Sequence, residues 1–257
     1  MIDWLLNLPV VWMAFVVFGG TYLATGVIYW IVKSLAVGER AKAFKNISPG
    51  LLPPLGIIFG LFVAFVAAQV WNDVERAKAA VSTEASALRA VILLSDSFPA
   101  ESKARLHALI RRYITHTVTL EWPIMARQLS TLTVAPPALV EAQQFALALT
   151  SNGPGQEVAQ REIAAALERA LDARRQRIII SQSSVNWVKC AGLFLQAACT
   201  LLAIAMVHNE NRLTAALAMA LFATGVAISL MLIASHARPF TGQMSVRPEF
   251  LLQVMPE

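Results

Sequence analysis

The chain has 257 residues, of which 57% are hydrophobic and only 14% charged, with a formal net charge of +5. Soluble domains carry about 45–50% apolar and about 25% charged residues, so a water-soluble globular protein is excluded and an integral membrane protein is indicated. The modest positive charge forms no Lys/Arg cluster interleaved with aromatic residues, which excludes a nucleic-acid groove.

The first apolar run has no basic region before it and no small-residue cleavage site after it, and reads as a retained helix rather than a signal peptide. It extends from about Pro9 to Val32, with Trp12 near one interface and Tyr29, Trp30 and Lys33 near the other, the aromatic and basic belt expected of a span. A polar connection, Ser34 to Gly50, carries Arg40, Lys42 and Lys45 and is too short to be a domain. The second span is Leu51 to Asn72. It holds no charged residue and is long enough to cross the hydrocarbon core, which takes about 20 residues. At helical period, Gly56, Gly60, Ala64 and Ala68 form a ribbon of small side chains, with Pro53, Ile57, Leu61 and Trp71 on or beside it. Leu55, Phe59, Phe62, Phe65, Val66 and Val70 fall on the opposite, bulky side.

From Asp73 the composition turns polar without a helix breaker, which predicts one long helix projecting from the membrane, with Ala77, Ala80, Val81, Leu88, Val91 and Ile92 on its apolar face. Ser97-Phe98-Pro99 marks the next start, with Ser97 or Phe98 at the cap and Pro99 in the first turn. That helix, Ala100 to Glu121, turns Leu106, Leu109, Ile110, Tyr113 and Val118 inward. It is expected to stop before Trp122-Pro123, because the residue preceding proline disfavours helix. Residues 130–137 and 150–155 read as loops around a helix from Ala138 to Leu149. A further helix, Gln156 to about Ile180, carries Val158, Ile163, Leu167 and Leu171 on its apolar side and Arg174, Arg175 and Arg177 at its end.

Two spans follow, Val185 to Val207 and Leu213 to Ile233, joined by a loop from His208 to Arg212 so short that they form an antiparallel hairpin. Cys190 and Cys199 lie about two and a half turns apart in the third span, on opposite faces, which excludes a disulfide between them. Residues 236–257 form an irregular tail with at most one short helix. The fold expected is all-α: membrane helices in 1–72, a helical extramembrane domain in 73–184, a membrane hairpin in 185–235 and the C-terminal tail. Four spans put the middle domain and both termini on one side. Arg76, Lys78, Arg174, Arg175, Arg177, Arg238 and Arg247 on that side favour the cytoplasm and hence the bacterial inner membrane, against the charge concentrated at residues 34–50.

Enzymatic signals are absent. There is no phosphate-binding loop, dinucleotide fingerprint, His-Glu-x-x-His or nucleophile elbow, so the sequence names no catalytic residue, no metal site and no cofactor. His107 and His116 sit on opposite faces of their helix and, with His208 and His236, read as solvated or interfacial. The carboxylates Glu75, Glu84, Asp96, Glu101 and Glu121 are dispersed. Arg111, Arg112, Arg174, Arg175 and Arg177 read as solvated helix faces with intersubunit pairs, or as groups attracting ions or lipid headgroups. Inside the membrane, Gln69, Asn72, Lys189 and Gln196 are expected to face protein or water, Lys189 by snorkelling from a span end.

The run Pro53-Pro54-Leu55-Gly56-Ile57-Ile58-Phe59-Gly60-Leu61-Phe62-Val63, followed by Gln69-Val70-Trp71-Asn72, resembles the neck helix of bestrophin channels. There the run is apolar-Pro-x-Ser-Phe-x-x-Gly-Phe-Tyr-Val leading to Arg-Trp-Trp-Asn. Glu84 with Ala87-Leu88, Tyr113 leading to Glu121-Trp122-Pro123, and Arg238-Pro239-Phe240-Thr241-Gly242 are similar to the bacterial bestrophin-like domain proteins. The resemblance implies a homo-oligomer, a pentamer in bestrophins, conducting small ions across the lipid bilayer. Its second spans would line a central pore, with Pro53, Ile57 and Leu61 at the apolar constriction and Pro54, Gly56, Gly60, Ala64, Ala68, Gln69, Trp71 and Asn72 in support. This chain has Gly56 in place of the serine, Pro53 at the first constriction position, aliphatic for aromatic side chains there, and Gln69-Val70 for Arg-Trp. The residues alone leave a second reading open, in which the small ribbon serves only helix packing in a non-conducting interaction or sensor protein.

Overall fold

In a computed structural model, residues 8–36, 44, 49–183, 187–209 and 211–256 are described. The chain divides into two compact units, one of residues Met1–Asn72 with Ser184–Arg238, the other of Asp73–Ser183 with Pro239–Glu257. Among the described residues every regular element is helical.

The membrane unit contains α1 (Val10–Leu35), the first half of α2 (Leu52–Ser95), α7 (Trp187–Val207) and α8 (Arg212–His236). These four are the helices long and apolar enough to cross a bilayer. The protein is an integral membrane protein with four transmembrane helices. Helix α2 begins on Pro53 and Pro54, whose missing N–H groups cost nothing in a first turn. No proline follows until Pro99, so the helix continues for 44 residues, about 66 Å at 1.5 Å per residue. Helix α8 starts with the Asn211 side chain accepting from the N–H groups of Leu213 and Thr214 at 3.0 and 3.3 Å, a standard N-cap.

The membrane unit has two buried clusters, one joining Val32 of α1 with Leu201, Ile204 and Ala205 of α7 and Met219 of α8, the other built on the bulky side of α2. Phe59, Val66 and Val70 pack with Leu193 and Ala197 of α7 and Val226 and Ile233 of α8, and the Phe59 ring meets Phe222 at 5.3 Å. Phe65, placed on that side by periodicity, is exposed instead. The ring of Phe62 on α2 reaches Gly192 of α7, where an added Cβ would meet Phe62 Cζ at 3.1 Å and Cε1 at 3.3 Å. The expected start of the third span at Val185 and the basic residues Arg40, Lys42 and Lys45 lie outside the described residues.

The extramembrane unit packs the second half of α2 with α3 (Ala100–His116), a π-helical turn (Thr117–Glu121), α4 (Trp122–Ala126), α5 (Pro137–Leu147), α6 (Pro154–Ser181) and the tail helix α9 (Glu249–Gln253). Leu88, Leu106, Ile110, Ile114, Leu139, Ile163, Leu167 and Ile178 are fully buried, and Phe240, Val246 and Leu251 of the tail join the same core. Pro99 is the N-cap of α3 rather than its first turn. Val158 does not share the apolar face of α6; it is 57% exposed near the start of the helix. Trp122-Pro123 does not end the helical path either. Proline lacks an N–H and its ring crowds the carbonyl of the residue four before it. Here the preceding turn widens, the Trp122 N–H bonding the carbonyl of Thr117, and the chain runs on.

Gly192→Val would force two β-branched methyls against Phe62. Overpacking of this kind costs about 1–3 kcal/mol, so the midpoint of thermal unfolding in detergent should fall. An unchanged midpoint would contradict the seating of the Phe62 ring against Gly192.

Candidate functional site

Along the membrane half of α2, exposure sorts by face. Pro53, Pro54, Gly60, Ala64, Ala68, Trp71 and Asn72 are exposed, with Ile57 at 63% and Leu61 at 55%, while Gly56 and Gln69 are half-buried at the flanks. The chain's own helices therefore cover the bulky side and leave the small side bare. An added Cβ at Gly56 or Gly60 meets nothing within 4 Å, so neither glycine is needed for packing inside the protomer.

The polar side chains of this unit find partners within it. Gln196 Nε2 donates to the Leu55 carbonyl at 3.3 Å, and Tyr22 Oη and Thr224 Oγ1 lie 2.8 Å apart. Lys189 is exposed near the start of α7, and its Nζ donates to Oε1 of Gln69. At the same end the Trp71 ring stacks on His236, centroids 5.7 Å apart.

In the extramembrane unit, residues far apart in sequence converge on Arg177, which is 0% exposed. Its Nε donates to Glu84 Oε2 at 2.7 Å and its Nη2 to Glu84 Oε1 at 3.1 Å and Glu121 Oε2 at 2.9 Å; Nη1 lies 2.8 Å from Met125 Sδ. Tyr113 Oη donates to Glu84 Oε1, and Arg174 Nε donates to Glu121 Oε1 at 2.9 Å. The Arg177 guanidinium sits 5.0 Å from the Trp122 ring centroid, a cation–π distance. Trp122 in turn donates Nε1–H to the Val246 carbonyl at 3.3 Å and meets Phe240 edge-on at 5.5 Å, which ties the tail to the cluster. The widened turn bears on this, since Thr117, Glu121, Trp122 and Met125 are all buried along one side of it.

Glu84 and Glu121 are thus not dispersed, and Arg174 and Arg177 are not solvated. The sequence did hold a signal for this. The apolar series Ile163, Leu167, Ala170 continues at i+4 and i+3 onto Arg174 and Arg177, so both arginines lie on the buried stripe of α6. Of the remaining motif residues, Pro239 is buried and Pro123 exposed; Pro239 accepts from the Val246 N–H at 2.7 Å. Arg238 is the last residue of the membrane unit. Arg112 pairs with Glu141, and Arg111 donates to the Pro256 carbonyl at 3.0 Å.

Burial pushes the Glu121 carboxyl up, but Arg177 and Arg174 together outweigh it and hold it below its ordinary value of 4.5. Burial likewise pulls Arg177 down, and Glu84, Tyr113 and Glu121 reverse it, so the guanidinium stays charged. Burial, then Glu84, raise Tyr113 well above its ordinary value and keep it a neutral donor. Each charge is compensated and, within the cluster, the Thr117 hydroxyl alone is left buried without a partner, which is the chemistry of a structural clasp rather than a reactive centre. Among the described residues no group of three His, Cys, Asp or Glu side chains could hold a metal ion.

A family model described as the bestrophin-like domain matches residues 19–251. The chain belongs to the bestrophin-like family. A crystal structure of a bacterial bestrophin homologue from Klebsiella pneumoniae shares 15% identity at a TM-score of 0.65, covering 96% of this chain and 96% of that one. A single-substitution variant of that homologue gives 13% identity and a TM-score of 0.67 over 91% and 95% of the two chains. A crystal structure described only as a membrane protein variant gives 12%, 0.67 and the same coverage. At these identities the likeness is one of fold. No curated protein matches the sequence. In this bestrophin-like chain, the motif residues Glu84, Tyr113, Glu121, Trp122 and Phe240 gather around Arg177.

Arg177→Leu would leave Glu84 and Glu121 buried without their cation, and breaking such a pair costs about 3–5 kcal/mol. The full-length protein should unfold at markedly lower denaturant, and Arg177→Lys should not restore it, because lysine cannot serve two carboxylates as a planar fork. The Glu121 contribution has a definite sign. A carboxyl held below its ordinary value stabilises the fold above that value, near 4.5, and loses the contribution as pH falls through its folded value. Acid titration of unfolding should show Glu121→Gln losing part of the wild-type decline below about pH 4.5.

Proposed function

We propose that this protein is an oligomeric ion channel in which the uncovered face of α2 lines the path for small ions, with Pro53, Ile57 and Leu61 as an apolar neck. The observation that carries this reading is the asymmetry of α2. Its bulky side is packed against α7 and α8, while Ile57, Gly60, Leu61, Ala64 and Ala68 on its small side are exposed, and an added Cβ at Gly56 or Gly60 meets nothing within 4 Å. Narrow apolar rings gate by dewetting, because an ion cannot shed its hydration shell against methyl groups. Gly60, Ala64 and Ala68 give neighbouring α2 helices room to approach beside the neck, and Gly56, Pro54, Gln69, Trp71 and Asn72 frame it. Bestrophin-family membership supports a ring of identical subunits, a pentamer. Placement in the bacterial inner membrane with the extramembrane unit in the cytoplasm follows from the balance of basic residues.

The test is ion flux in liposomes. Single cysteines at 57 and 61, in a background carrying Cys190→Ser and Cys199→Ser, should render flux sensitive to thiol reagents, and Leu61→Ala should raise it by widening the neck. An intact oligomer without flux under any ion gradient would contradict the channel and leave α2 as a packing helix.

A further inference from the structure

Lys189 lies in the first turn of α7, where a lysine can reach interfacial water by extending along the helix end. Here, exposed near the start of the helix, it donates from Nζ to Oε1 of Gln69 on α2. Gln69 directly follows Ala68 and sits half-buried at the edge of the face shared by Ile57, Leu61, Ala64 and Ala68, with Trp71 and Asn72 exposed beside it. An ammonium is thereby placed beside one end of that face, and its partner is a neutral amide, which does not cancel its charge.

Among the described residues of the membrane unit, no carboxylate opposes this charge. Between Leu51 and Asn72 there is no charged residue, and the described residues of the membrane unit include no Asp or Glu. The next carboxylates along α2 are matched on their own helix, Asp73 with Arg76 at 3.7 Å and Glu75 with Lys78 at 2.9 Å. His236, stacked on Trp71, adds no negative charge. Beside a narrow path with low-dielectric walls, a fixed cation raises the local concentration of anions and repels cations. In a ring the effect repeats in every subunit.

We infer that Lys189 is the selectivity-determining residue of this protein and that small inorganic anions are the ions it favours. This rests on the reading of the uncovered α2 face as the wall of an ion path. The experiment is the reversal potential of the full-length protein in planar bilayers under a potassium chloride gradient, with each variant first matched to wild type in size-exclusion elution. Wild type should pass chloride over potassium, and Lys189→Arg should keep that ratio. Lys189→Gln should lower it about threefold or more, Lys189→Glu should lower it further, and Gln69→Glu should mimic part of the loss by pairing the ammonium. The wild-type preference should also fade between 0.1 and 1 M salt, as the screening length shrinks from about 10 Å to about 3 Å. A conducting Lys189→Glu with the wild-type ratio, or a wild type favouring potassium, would overturn the assignment and leave the channel standing. Absence of wild-type current would overturn the channel and the assignment together.

Discussion

One helix has to satisfy two solvents at once, and the rest of the molecule follows from how α2 does so. Its side bearing Phe59, Val66 and Val70 enters one core cluster of the membrane unit, and the side bearing Ala77, Val81, Leu88 and Val91 enters the core of the extramembrane unit. Both of these clusters therefore share one uninterrupted backbone, free of proline from Leu55 to Phe98. Such a helix cannot be rotated to bury its small face without exposing three bulky side chains, each worth about 1.5–3 kcal/mol in burial. The bare face is thus a structural commitment, and the stripe of Gly and Ala flanked by Ile57 and Leu61 stays uncovered by the chain's other helices.

The Arg177 cluster is a different kind of constraint. Taking a guanidinium and two carboxylates out of water costs several kcal/mol per ion, and only complete pairing offsets it. That pairing draws on α2, α3, the π turn and α6, while Trp122 extends it to the tail. The arrangement holds only when all of these segments are in place, so it makes the extramembrane unit cooperative. Motif residues that a sequence reader would assign to ligand or ion chemistry are here absorbed by internal bonds.

The fold was legible in sequence wherever the signal was local. Apolar runs bounded by Trp12, Trp30 and Lys33 mark a span, and the lack of a breaker after Asn72 marks the long helix. Prolines 99, 137 and 154 lie within a residue of their helix starts. What escaped was non-local or depended on backbone detail. Glu84, Glu121 and Arg177 look like separate surface charges until the fold brings them together. Trp122-Pro123 looks like a stop because a π turn leaves no trace in residue periodicity. The tail looks irregular because Phe240, Val246 and Leu251 have no shared period, yet all three are buried. At the site, the ribbon was visible from residue size, but its exposure was not, since size cannot tell which helix covers which face. Lys189 and Gln69 stood as unrelated polar residues on different spans.

The central claim is that the uncovered face of α2 turns toward an axis shared by copies of the chain. Single-particle electron microscopy of the full-length protein in lipid nanodiscs addresses it directly. The account predicts a closed ring in which Ile57 and Leu61 are the side chains nearest the axis, with α7 and α8 behind them. A dimer packed through Gly60, or a particle whose α2 face lies against lipid, would contradict it.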